Sequence, residues 1–254
     1  MIRLKNLDQI ARIRESCQML ARLFQELPAQ AVEGRSTLDL DKWAEDWIRS
    51  RGGKPAFKGY QGFTGTLCIS INQEVIHGIP KADRKIKAGD LVSLDCGIDL
   101  GGYFSDMAVT VPIGTVTSEE KTLLEVTKSS LVAGLGAVRI GGRVRDVAVA
   151  VTEVVKPHRF GIVHQYCGHG VGFSQHEDPQ VPNSVSSGPN PRLAAGMVLA
   201  VEPMINLGKA EVRVLSDQWT VVTVDGKKAA HFEHTVALLE AGPEVLTLLD
   251  GQAL

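Results

Sequence analysis

Two apolar segments separated by a glycine pair decide the architecture: Leu91-Val92-Ser93-Leu94-Asp95-Cys96-Gly97-Ile98 and Tyr103-Phe104-Ser105-Asp106-Met107-Ala108-Val109. Leu100-Gly101-Gly102 between them is a hairpin signal and favours antiparallel pairing. A turn centred on the Leu100–Gly101 bond sets Asp95 directly opposite Asp106. Such partners have Cβ atoms about 4.5–5.5 Å apart, and two carboxylates at that spacing repel unless a cation or a shared proton lies between them. A metal clamp explains the pair. The alternative is a shifted register that leaves both acids in solvent.

On the N-terminal side of this hairpin, Asn6-Leu7-Asp8-Gln9 reads as a capping box. Ile10, Ile13, Cys17, Leu20, Phe24 and Leu27 then recur at helical intervals up to Pro28. Ser36 or Thr37 caps a second helix with Leu40, Trp43, Ala44, Trp47 and Ile48 on one face, stopped by Gly52-Gly53. On the C-terminal side, Thr117-Ser118-Glu119-Glu120 opens a third helix with Leu123, Leu124, Leu131, Val132 and Leu135 inward. A fourth follows with Val144, Val147, Ala148, Val151 and Val155 before Pro157. Strands are expected at 66–71, 90–98 and 103–111 after the first pair, and at 162–166, 171–176, 197–206, 218–224 and 230–239 after the second. Asp225-Gly226 supplies a further hairpin signal. The expectation is an α+β chain, one domain over 1–254 made of pseudo-symmetric halves, about 1–116 and 117–254.

Composition narrows the class of function. The 254 residues carry 27 Lys and Arg against 29 Asp and Glu, so no excess of positive charge is available to hold a phosphate backbone. Lys81, Arg84, Lys85 and Lys87 read as a solvated turn. Twenty-six glycines point to many tight turns and argue against an all-helical bundle. Cys17, Cys68, Cys96 and Cys167 form no CxxC pair, which disfavours a zinc knuckle or thioredoxin motif and suits a reduced cytoplasmic protein. No stretch reads as a signal peptide or a membrane span.

Three further groups interrupt strand-like apolar runs: His169 in Gly168-His169-Gly170, Glu202 in Val201-Glu202-Pro203, and Glu233 in Phe232-Glu233-His234. Singly, each has a bland reading as a hydrogen-bonded or edge residue. Together with Asp95 and Asp106 they make one imidazole and four carboxylates, whose charge two divalent cations would balance. A dinucleotide turn fails because Phe173 stands where GxGxxG needs glycine, and GxxxxGK[ST], GxSxG and HExxH are absent.

The order Asp95, Asp106, His169, Glu202, Glu233 resembles the ligand set of the methionine aminopeptidases. So do Cys68-Ile69-Ser70-Ile71-Asn72 with His77-Gly78-Ile79-Pro80, His176-Glu177-Asp178-Pro179-Gln180, Val201-Glu202-Pro203-Met204 and Phe232-Glu233-His234-Thr235. The resemblance covers almost the whole chain and is to the short bacterial type I form. It implies a pita-bread fold, with pseudo-twofold halves and a central antiparallel sheet flanked by two helix pairs. It further implies two divalent ions, whether Fe, Mn, Co or Zn. Asp95 would chelate one ion, Asp106 and Glu233 would bridge both, and His169 with Glu202 would complete the other. Glu202 would serve as general base, and His77 and His176 would contact the scissile peptide. Tyr60, Phe63, Cys68 and Trp219 would form the methionine pocket, although Trp219 reads equally as core. The substrates implied are short peptides and nascent polypeptide N-termini, met as a monomer, with a transient ribosome contact left open and neither dedicated nucleic-acid nor membrane binding expected.

The sequence departs from the common pattern at Ile76, often a cysteine, and at Gln175, where an apolar residue usually lines the pocket. On that expectation the Gln175 amide weakens the preference for methionine. An Xaa-Pro aminopeptidase or prolidase of the same fold is the first rival, but the roughly 90 residues before Asp95 leave no room for its usual extra domain. A non-catalytic binding module is the second, and the full ligand set argues against it.

Overall fold

The computed structural model describes residues 1–252. The first half runs α1 (Leu7–Gln30), α2 (Thr37–Ser50), β1 (Lys54–Pro55), β2 (Cys68–Ile71), β3 (Glu74–Ile76), β4 (Leu91–Leu100) and β5 (Tyr103–Pro112). The second opens with α3 (Ser118–Ala137) and α4 (Val144–Val155), then β6 (Gly161–Ile162), β7 (Gly168–Gly170), β8 (Glu177–Val181), β9 (Val198–Val201) and β10 (Met204–Asn206). It closes with β11 (Val212–Val214), β12 (Val221–Thr223), β13 (Ala229–His231), β14 (His234–Leu239) and β15 (Gly242–Val245). The pairings between these strands are antiparallel.

The helix signals in the sequence work as local chemistry requires. Asn6 and Thr117 close reciprocal capping boxes with Gln9 and Glu120, and Ser36 caps α2 through the Asp39 amide. α1 continues past Pro28 to Gln30, and Val132 of α3 faces solvent rather than the core.

Each helix pair covers one face of a sheet. Leu20, Leu23, Leu27, Leu40 and Ile48 pack against Val92, Leu94, Cys96 and Ile98 of β4, the even-numbered side of that strand. Leu123, Leu131, Leu135, Val147 and Val151 pack likewise against Leu199 and Val201 of β9 and Val236 and Leu238 of β14. A fully buried Leu or Val contributes about 1.5–3 kcal/mol, so these two layers fix which side of each strand points away from the helices. Strand alternation then sends Ser93, Asp95 and Gly97 to the opposite face, along with Ala200 and Thr235.

The central hairpin turns one position later than the sequence reading placed it. Gly101 and Gly102 have φ of +63° and +86°, and Leu100 pairs with Tyr103. A two-residue turn of this hand needs positive φ at both central positions. Glycine supplies that twice here, whereas a centre at Leu100–Gly101 would force it on leucine. Asp95 is therefore opposite Ala108, and Asp106 opposite Gly97. The two acids are diagonal neighbours on one face, which corrects the expectation of a directly facing pair.

Other expectations change as well. The run 171–176 is a loop between β7 and β8, and Asp225-Gly226 turns the chain between strands of different sheets. The expected strands 197–206 and 230–239 each break in two, at Glu202-Pro203 and at Phe232-Glu233. β9 pairs β14 in the five-stranded sheet, while β10 pairs β13 in a three-stranded one. Both glutamates thus stand where a strand pair passes from one sheet to the next.

Candidate metal centre

One cavity of about 280 Å³ gathers all eleven side chains singled out from the sequence: Tyr60, Phe63, Cys68, His77, Asp95, Asp106, His169, His176, Glu202, Trp219 and Glu233. Phe57 and Gln61, which the sequence reading missed, complete its lining. Asp95 and Asp106 enter from the β4–β5 hairpin, and Cys68 of β2 is the cross-strand partner of Asp95. His169 is the middle residue of β7, paired with Ala200. The Glu233 N–H donates to the Ala108 carbonyl at 2.9 Å, which ties the break before β14 to the central hairpin. Beside it, the Thr235 hydroxyl donates to the Asp106 carbonyl at 2.8 Å and accepts the Asp106 N–H at 3.3 Å.

Among the described residues, no lysine or arginine pairs with the converging acids, whose basic neighbours are histidines. Nε2 of His169 is 3.5 Å from both Asp106 Oδ2 and Glu202 Oε1. Ligand atoms of Asp106, His169 and Glu233 lie within 4.8 Å of one another. Asp95 Oδ1, Asp106 Oδ1 and Glu233 Oε1 are buried with no hydrogen-bond partner. Burial first, and then the neighbouring carboxylate charges, push Asp95 and Glu233 well above the usual carboxylate range. Burial works to lower the His169 pKa, but the Asp106 and Glu202 carboxylates outweigh it and raise it to about 9. Orphaned carboxylate oxygens around an imidazole fit a divalent ion of intermediate hardness.

A second layer of contacts shapes the rest of the cavity. His176 lies with its ring centroid 4.3 Å from that of His169 and 5.2 Å from that of Tyr60. Phe63 meets Trp219 edge-on at 5.1 Å, and His77 stands 6.0 Å from Trp219. Phe63 and Trp219 also pack with Phe57 and Cys68 as a separate small cluster, so Trp219 belongs to the cavity wall. His77 has φ of +60°, a left-handed conformation that costs a non-glycine residue about 1–3 kcal/mol and concentrates at functional sites. Burial lowers the pKa of both His77 and His176 to about 4.

Three placements were not legible beforehand. Gln175 is only 1% exposed and does not line the cavity; its amide donates to Asp106 Oδ2. The expected wall of the side-chain pocket is therefore a contact to a carboxylate: His176 lines the cavity, whereas Gln175 is buried against Asp106. His231, buried with both ring nitrogens unpartnered, comes within 3.6 Å of Glu202 Oε2. Ile76 lines a broader cleft that opens outward past His77, His169, His176 and Glu202.

The model of Metallopeptidase family M24 matches residues 11–240. The chain is 54% identical to a methionine aminopeptidase of Treponema pallidum over 97% of its own length and 96% of that protein. The chain belongs to metallopeptidase family M24, among its methionine aminopeptidases. The crystal structure of a methionine aminopeptidase from Thermotoga maritima superposes with a TM-score of 0.94 at 38% identity, covering 98% of this chain and all of that one. A prolidase from Pyrococcus furiosus shares the fold with a TM-score of 0.80 at 22% identity. This chain covers 66% of the prolidase, whose remaining third has no counterpart here. These neighbours carry the pita-bread fold expected from the resemblance. As in other members of the family, divalent metal underlies the activity, and the buried acid cluster is where this chain offers to hold it. Among the described residues, no helix is long and apolar enough to cross a membrane.

Proposed function

We propose that the chain hydrolyses the N-terminal methionine from peptides and nascent proteins whose second residue is small. The observation that carries this reading is the adjacency, in one cavity, of the five-member acid and imidazole cluster to a pocket of Phe57, Tyr60, Phe63, Cys68 and Trp219. Aromatic rings and a thiol suit a flexible, polarizable thioether. Asp95, Asp106, His169, Glu202 and Glu233 would hold two divalent ions drawn from Fe, Mn, Co and Zn. When bound, such ions polarise the scissile carbonyl and make water acidic enough to lose a proton near neutral pH.

This chain's own side chains divide the remaining work. Glu202, at the inner end of the broad outward cleft, takes the proton of the attacking water and returns it to the leaving amine. His176, neutral near pH 7 because burial depresses its pKa, donates to the carbonyl oxygen as negative charge grows there. His77 contacts the amide of the second residue, and its position against Tyr166 and Trp219 narrows the space for that residue's side chain. Buried Phe57 and Phe63 wall the side-chain pocket and would bound the length of the side chain it accepts. We assign these roles to a single catalytic domain over 1–254, acting as a monomer in the cytoplasm, a compartment that the four free thiols suit.

The deciding assay offers Met-Ala-Ser and an Ala-Pro peptide to the metal-loaded protein. Release of methionine from the first alone supports the reading. Cleavage of the second with the first intact would make the protein an Xaa-Pro enzyme, and inertness toward both a binding module.

A further inference from the structure

We propose that Gln175 is a positioning residue that holds the Asp106 carboxylate in its ligating orientation. The inference rests on the reading of Asp106 as a metal ligand. Three observations meet at this side chain. Its Nε2 donates to Asp106 Oδ2, and it is almost wholly buried. The cross-strand partner of Asp106 is Gly97, which contributes no side chain to the face that both residues share. The amide fills the space so left: a Cβ at position 97 would lie 2.6 Å from Gln175 Oε1, 2.9 Å from its Nε2 and 3.0 Å from the Ala56 Cβ. The missing side chain at 97 is thus the slot through which Gln175 reaches the carboxylate.

The geometry of the 173–177 segment keeps the amide there. Glu177 Oε1 accepts the N–H of Phe173 at 2.6 Å and of Ser174 at 3.1 Å. Its other oxygen is paired with Lys5 at 2.7 Å, both side chains being buried. A neutral donor on Oδ2 fixes the rotation of the Asp106 carboxylate without cancelling its charge. Oδ1 remains free of any partner and available to a cation. An apolar side chain of the same length would leave the carboxylate free to rotate, and a charged donor would offset part of the negative charge the cations require. Contacts of this kind to metal ligands are worth about 10–100-fold in metal affinity or activity.

The test titrates metal-free protein with Co(II), by calorimetry and by the visible absorption of the bound ion, for the wild type, Gln175→Leu and Gly97→Ala. Both variants should bind Co(II) about 10–100-fold more weakly and show an altered absorption spectrum. The ratio of kcat/KM for Met-Ala-Ser over Leu-Ala-Ser should hold at the wild-type value in Gln175→Leu. In a Gln175→Ala background, Gly97→Ala should add no further loss, because the group it displaces is already gone. Thermal unfolding followed by circular dichroism verifies that each variant is folded. Wild-type Co(II) affinity in folded Gln175→Leu overturns the proposal. If the Met-to-Leu ratio shifts at the same time, Gln175 is a wall of the substrate pocket instead. A wild-type protein that binds no Co(II) overturns the ligand reading of Asp106, and the proposal with it.

Discussion

Thr235→Val should destabilise the metal-free protein by about 2–4 kcal/mol, because one hydroxyl there does the work of a missing rung of sheet. The central hairpin and the 232–235 segment pair through Ala108 and Glu233, and the next rung would join Asp106 to Thr235. The Thr235 Oγ1 spans that step instead, donating to the Asp106 carbonyl and accepting its N–H. Thr235 is fully buried, so water cannot take over either bond. Valine keeps the shape and removes both partners. A buried donor or acceptor left unsatisfied costs about 1–3 kcal/mol, and the longer 3.3 Å bond places the sum of the two in the lower part of the resulting range. In a chain of this size that lowers Tm by roughly 5–15 °C. Urea unfolding of the metal-free proteins, followed by circular dichroism, measures it without a contribution from metal binding, and Thr235→Ser should restore most of the loss. Thr235→Val within about 1 °C of wild type, outside the range scaled from these bonds, would refute the claim that this hydroxyl ties Asp106 to β14.

Other outcomes follow from the same geometry. Asp106→Asn should abolish peptidase activity and lower metal content measured by atomic absorption while leaving the far-ultraviolet circular dichroism unchanged; full metal occupancy with wild-type turnover would remove Asp106 from the site. His77→Ala and His176→Ala should retain their metal and lose roughly 10²–10³-fold in turnover, the scale for one transition-state hydrogen bond; metal loss in step with activity would make them ligands or supports. Burial raises the Asp41 carboxyl to about 6 from its ordinary value of 3.8, against the pull of the Leu67 and Thr66 amides that it accepts. Between those values the folded state holds a proton that the unfolded state has lost. Stability therefore falls as pH rises from about 4 to about 6, by about 3 kcal/mol, and is level above that. Asp41→Asn keeps an oxygen to accept both amides, so its urea-unfolding curves should lack this slope; an identical slope in both proteins would place the titration elsewhere.

The sequence by itself determined what short-range chemistry governs. Asn6, Ser36 and Thr117 cap their helices because an oxygen three residues upstream of an amide is a property of the local chain. The periodic Leu, Ile and Val positions chose which faces of α1, α2 and α4 are buried, for the same reason. Of the eleven cavity residues, Asp95, Asp106, His169, Glu202 and Glu233 stood out as charged groups inside apolar runs that need partners, and the other six came from the family resemblance alone. Tertiary structure decided how those residues meet. The hairpin register moved one position because backbone handedness at Gly101-Gly102 outweighs symmetry of the flanking sequence, and that turned a facing pair of aspartates into a diagonal one. Glu202 and Glu233 sit at strand breaks because each strand pair divides between two sheets; Pro203 marks the first break in the linear sequence, and the run around Glu233 carries no such mark. Gln175 reached Asp106 only because a glycine on another strand left room for it. Such encounters depend on vacancies between distant segments, and a vacancy exists only after the segments have packed.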